Sequence, residues 1–218
     1  MKRAIVCILL VALGLSLSLA QDDAARDKQF EDLLKSASTA YKAGKYSDSI
    51  ASLQKALAML RELAGADYAS FLPKAGEGWK AGEPDVSSGT WGAGKDSFQI
   101  MTVSQSYRRE KDGREVDLTI TNSPQLTSGP RQFVEMLKQP GMAAMLAQSD
   151  PGKTIKTFED GAWAGLVQIE KAKSVQLMAM TKSLMVTVAV NADDEKLATE
   201  FWQAINRKGL AEAAATGK

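Results

Sequence analysis

Histidine is absent from this 218-residue sequence, and cysteine occurs once, as Cys7. Without histidine there is no Ser-His-Asp triad, no His-ligated zinc and no His-ligated haem. An excess of either charge is also lacking, since 27 Lys and Arg face 26 Asp and Glu. A dedicated nucleic-acid binder needs a basic face to displace counterions, and this balance argues against one. Beyond residue 20 no apolar run approaches the ~20 residues that span a bilayer.

What is present begins with an export signal. Met1-Lys2-Arg3 is a short basic region, Ala4 to Leu19 is almost unbroken apolar sequence, and Ser18-Leu19-Ala20 places small residues where a signal peptidase reads. Cleavage after Ala20 is expected, giving a periplasmic or extracellular protein that starts at Gln21. Cys7 lies in mid-run with no small-residue lipobox before it, which argues against lipid attachment. Removing residues 1–20 takes two basic residues, the one Cys and no acidic residue, so the mature chain has a net charge of −1. It then lacks disulfides, a thiolate nucleophile and Cys metal sites.

Residues 22–66 carry helical spacing throughout. Phe30, Leu33, Leu34, Ala37 and Tyr41 form one stripe, and Gly44 supplies a left-handed stop. Ser47 is the expected N-cap of a second helix with the stripe Ile50, Leu53, Leu57 and Leu60, ended by Gly65. So short a turn makes the two helices antiparallel.

Ala40-Tyr41-Lys42-Ala43-Gly44-Lys45-Tyr46-Ser47-Asp48-Ser49-Ile50, followed by Leu53-Gln54-Lys55-Ala56-Leu57, resembles the heart of a tetratricopeptide repeat. The resemblance covers one hairpin, about residues 30–62, with Ala56 and Tyr46 on the family pattern. It implies that small residues let the helices approach while the tyrosine fills the gap near the turn. No second copy of the repeat follows, and a lone hairpin leaves one apolar face open. That face needs the rest of the chain, a twin or a partner. Tyr41, Tyr46, Ile50 and Leu53 are the candidate interaction residues.

Residues 67–96 hold Pro73, Pro84 and six glycines, and are expected to be a linker pinned by Phe71, Trp79 and Trp91. From residue 97 the apolar period becomes two. Six strands are expected, at about 98–109, 116–121, 153–159, 162–170, 173–180 and 184–190, with turns at Asp112-Gly113 and Asp160-Gly161. Helix is expected over 130–148, broken at Pro140-Gly141, and again after Asn191, where Leu197, Phe201 and Ile205 make the stripe and Gly209 the stop. The fold class is therefore α+β: a helical hairpin (21–66), then a mostly antiparallel six-stranded sheet flanked by helices (97–210), with a disordered tail over 211–218.

That order of elements, entered by Phe71-Leu72-Pro73 and Gly78-Trp79, is similar to the PsbP-like superfamily over residues 71–210. The resemblance implies an accessory scaffold that binds other proteins, without chemistry of its own.

Four local features bear on chemistry. Pro151-Gly152-Lys153-Thr154 lacks the earlier glycine of a phosphate-binding loop, where Ala147 stands, and precedes a strand where the motif opens a helix. Asp193, Asp194 and Glu195 complement a helix dipole without calcium-loop spacing. Arg108, Arg109, Lys111 and Arg114 surround a hairpin tip but are interleaved with Glu110 and Glu115. Met178 and Met180 share a strand face, which suits either soft-metal ligation or core filling, and core packing is the ordinary use.

The leading expectation is a non-catalytic exported protein that binds another envelope protein or itself. No cofactor, metal or nucleic acid is expected. The alternative is a carrier of a small apolar ligand in a pocket between the 130–148 helix and the sheet, lined by Phe133, Met136, Met142 and Met145. A hydrolase using carboxylates is the third reading. A filled core beneath residues 133–146 favours interaction, and a wide cavity there favours the carrier.

Overall fold

The computed structural model describes residues 24–91, 98–139, 141, 142, 145, 150 and 152–216. The expected leader with Cys7, the cleavage point after Ala20, and Pro140, Ala147 and Pro151 lie outside the described residues. The chain divides into two units, Met1–Arg61 and Glu62–Lys218.

In the first unit, helix α1 covers residues 24–42 and helix α2 runs Tyr46–Ala69, its last turns belonging to the second unit. Gly44 has φ +73°, the left-handed conformation that glycine alone takes without strain. Lys45 N donates to Ala40 O at 2.9 Å and Gly44 N to Tyr41 O at 3.0 Å, so the last carbonyls of α1 are satisfied. Helix α2 starts immediately afterwards, and Ser47, expected as its cap, lies within its first turn.

The two helices meet through small residues. Ala37, Ser49 and Ala56 are buried, and Ser49 Oγ donates to Ala37 O at 2.9 Å. Ser52 Oγ lies 3.4 Å from Ser36 Oγ. Phe30, Leu33 and Ala40 are half-buried beside them. The expected stripes lie mostly outside this seam. Leu34 and Tyr41 of α1 and the whole set Ile50, Leu53, Leu57 and Leu60 are exposed. Seven-residue spacing of Ser49 and Ala56 brings the backbones close, and the residue after each is turned about 100° away round the helix. Gly65 does not end α2. A Cβ there would fall 2.2 Å from Val86 Cγ1, so the glycine makes room for a neighbouring strand.

The second unit is an eight-stranded sheet with β1 Trp79–Ala81, β2 Asp85–Trp91, β3 Phe98–Arg109, β4 Glu115–Asn122, β5 Lys153–Asp160, β6 Trp163–Glu170, β7 Ser174–Met180 and β8 Leu184–Val190. The order is β1-β3-β4-β8-β7-β6-β5, with β2 also on β3, and every described pairing is antiparallel. Two strands more than expected arise from the segment read as a linker. Both lie along the outer edge of β3 and are largely exposed, so neither needs an alternating apolar pattern. Gly113 (φ +70°) and Gly161 (φ +63°) make the two expected hairpin turns.

Helices cover both faces. Helix α3, Pro124–Leu137, begins earlier than expected because Ser123 caps it, accepting from Leu126 N, and Pro124 occupies its first turn. It packs Val134 and Leu137 on Ala164, Leu166 and Met180. The other face carries the larger cluster, in which Val116, Leu118, Leu177, Val186 and Val188 lie under Leu197, Trp202 and Leu210. The single closing helix of the sequence reading is two: α4, Glu195–Ala204, and α5, Arg207–Thr216. Ile205 is extended between them, and Asp194, not Asn191, caps α4 by accepting from Leu197 N at 3.0 Å. Asn191 instead accepts from Glu115 N at 2.8 Å. The expected tail from 211 is helical to Thr216, anchored by buried Leu210 with Ala211 and Ala214 against the core. Gly209, expected as the stop, lies inside α5.

Candidate functional site

The most prominent apolar surface in the first unit is the outer side of the hairpin. Tyr41 is 65 % exposed, Tyr46 61 %, Ile50 56 % and Leu53 49 %, with Leu57, Leu60 and Leu34 also open. The rings of Tyr41 and Tyr46 meet edge to face at 5.7 Å, which joins the α1 and α2 parts of the patch. Along α2 the residues 46, 50, 53, 57 and 60 alternate four and three apart, the spacing of a seam that packs on another helix. Isolated exposed leucines are ordinary. A contiguous set of this size marks a contact surface.

The carrier residues fall differently. Phe133 packs on the cluster beneath α3 with Ile155, Met178 and Met185, and Met180 there is fully buried. Met136 and Met142 are half-buried, and Met145 is exposed. Met136 borders a shallow surface groove with Arg131, Glu135 and Gln139. At the described residues, Phe133, Val134 and Leu137 of α3 pack on Ala164, Leu166 and Met180 of the sheet.

An open cleft of about 640 Å³ lies on the opposite face, between the edge strand β5 and α4. Phe158, Val167, Leu177 and Trp202 form its floor. Sequence reasoning missed it. Its signal is Gly165 inside β6, directly opposite Phe158 in the register. A Cβ at Gly165 would lie 2.4 Å from Phe158 Cζ and 2.5 Å from Met178 O, so only glycine leaves room for that ring over β6.

The rim of the cleft is polar, but its charges are paired. Lys156 Nζ is 2.6 Å from Glu195 Oε2. Asp160 accepts from Trp202 Nε1 at 3.1 Å and pairs with Arg207, whose guanidinium lies 5.3 Å from the Trp202 ring centre. Lys138 beside Glu159 holds that carboxyl below its ordinary range through a hydrogen bond. Asp160 and Glu195 thus face one cleft, each held by a cation.

The remaining charged features have local partners. Asp194 caps α4 and pairs with Arg114, while Asp193 accepts from Ala172 N at 3.3 Å. At the β3–β4 tip Arg109 holds Asp112 at 2.7 Å, and Arg108 approaches Glu115 at 4.0 Å. The Asp112 carboxyl is pulled down to about 2, first by the Arg109 hydrogen bond and then by Arg114 N. Tyr107 is buried with its hydroxyl 2.8 Å from Pro73 O, and desolvation pushes it up to about 12.

Fold and surface together define an α+β protein with a small-residue helical hairpin and a helix-covered antiparallel sheet. No family model, curated protein or solved structure matches the chain.

Proposed function

We infer that the chain is an exported, non-catalytic accessory protein that works by binding protein, with the outer side of the hairpin as its contact surface. The observation that carries this reading is the run of apolar side chains left exposed on α1 and α2 while the helix seam is made from alanine and serine. Water contact with such a surface is unfavourable by roughly 25 cal/mol per Å², and helix packing against it removes that cost. The lone tetratricopeptide-like hairpin accords with this, as does an apolar leader at the N-terminus. Affinity capture from an envelope extract, comparing the wild type with Leu53→Asp, tests the reading. Partners recovered by the wild type and lost in the variant are expected, and identical recoveries would sink it. Intact mass of exported protein should place its first residue at Gln21.

A second reading, a carrier of a small apolar ligand, is favoured by the cleft over Phe158 and Trp202. Its volume suits such a ligand. Titration with a fatty acid should change tryptophan fluorescence in the wild type and not in Trp202→Phe, and an unresponsive wild type removes this reading.

A further inference from the structure

Resting on the interaction reading, we propose that the hairpin face closes on a second copy of itself, α2 against α2 in antiparallel orientation about a two-fold axis. Three observations select this occupant.

The first is register. A two-fold interface is self-complementary: if residue i meets j, then j meets i. An antiparallel pairing centred at the level of Lys55 sets Ile50 opposite Leu60 of the second copy and Leu53 opposite Leu57, and the reciprocal pairs follow automatically. All four positions are exposed and apolar, so every layer of the contact is filled by one stripe. The four-three spacing is that of helices packing along their length.

The second is area. Leu34, Tyr41, Tyr46, Ile50, Leu53, Leu57 and Leu60 are each 42–65 % exposed. At about 200 Å² per large side chain, that leaves roughly 700 Å² open per copy, close to what each partner contributes to a stable interface of standard size.

The third is charge. Between Tyr46 and Leu60 the stripe and its near neighbours Ser47, Gln54 and Ala58 are uncharged. The ends differ in sign. Lys42 and Lys45 outnumber Asp48 around the turn, while Asp27, Glu31 and Asp32 outnumber Arg26 and Lys28 at the open end of α1. Arg61, also at the open end, is already engaged within the chain. A two-fold axis across the helices brings the basic turn of one copy toward the acidic end of the other. An axis along the helices would instead set lysines on lysines. Like-charge contact disfavours that arrangement, and complementarity fixes the register.

Sedimentation equilibrium of the purified protein tests the proposal. A dimer is expected at micromolar concentration, and Leu53→Asp or Leu57→Asp should weaken it at least about thirtyfold, the size of an interface hot spot, with an unchanged far-UV spectrum. Lys42→Glu with Lys45→Glu should weaken association, as should Asp27→Lys with Glu31→Lys. All four in one chain should restore it. A dimer indifferent to Leu53→Asp and Leu57→Asp overturns the assigned face, and a quadruple variant no better than the doubles overturns the antiparallel arrangement. A wild type that stays monomeric overturns self-association altogether. In that case loss of capture in Leu53→Asp would keep the hairpin as a site for a different protein, whereas unchanged capture would remove both readings.

Discussion

At the scale of single residues, glycine positions report how closely backbones and rings approach. Gly165 sits mid-strand, where glycine ordinarily weakens a sheet. Here a Cβ would collide with both Phe158 and the Met178 carbonyl, and the carbonyl belongs to a paired strand that has nowhere to go. Gly165→Ala should therefore destabilise the protein by at least about 2 kcal/mol in urea unfolding. A change within about 0.5 kcal/mol would mean that the ring does not lie over the glycine. Asp112 makes a pH-dependent contribution instead. Its folded value of about 2 lies below the ordinary 3.8, so the folded state binds the proton less readily than the unfolded one. The Arg109–Asp112 contact thus contributes fully above about pH 4 and is lost as pH falls through about 2. Asp112→Asn should flatten the acid limb of stability in that window by lowering stability slightly at neutral pH and leaving it nearly unchanged below about pH 2, a small effect because the pair is on the surface.

At the scale of elements, the sheet core was readable because its strands are half-buried with period two. Val175, Leu177 and Ala179 face one helix layer, and Met178 and Met180 the other. The Asp-Gly turns were readable for the same local reason. The edge strands β1 and β2 were not, since most of their residues are exposed and show no alternation to betray them. The hairpin shows a different failure. Apolar spacing identified α1 and α2, but spacing alone does not tell the seam between them from the outward face. Close helix packing selects small side chains, and Ala37, Ser49 and Ala56 won the seam. The two faces make opposite demands on substitution. Leu53→Ala should change stability by no more than about 0.5 kcal/mol at concentrations where the chain is monomeric. Ala56→Leu should cost about 1–3 kcal/mol by forcing the helices apart. Thermal or urea melts of the two variants side by side check this, and a reversed order would return Leu53 to the core.

At the scale of the whole molecule, the division into units has a direct consequence for folding. Every residue of both apolar clusters lies at or beyond Tyr68, and the Tyr68 hydroxyl is tied to Asn122 at 3.0 Å within the same unit. The part of α2 that the sheet unit uses, from Glu62 onward, includes Gly65 under Val86. A chain beginning at Glu62 therefore retains the complete core and every described strand. It should unfold in one cooperative transition, and its midpoint should match that of the sheet in the full-length protein carrying Leu53→Asp. Because it lacks Tyr46, Ile50, Leu53, Leu57 and Leu60, it should also sediment as a monomer at concentrations where the full-length protein pairs. If the shortened chain failed to fold, residues before Glu62 would be supplying structure that the two clusters do not contain. If it folded and still paired, the contact surface would have to be sought on the sheet unit, with the exposed strand β2 as the first place to look.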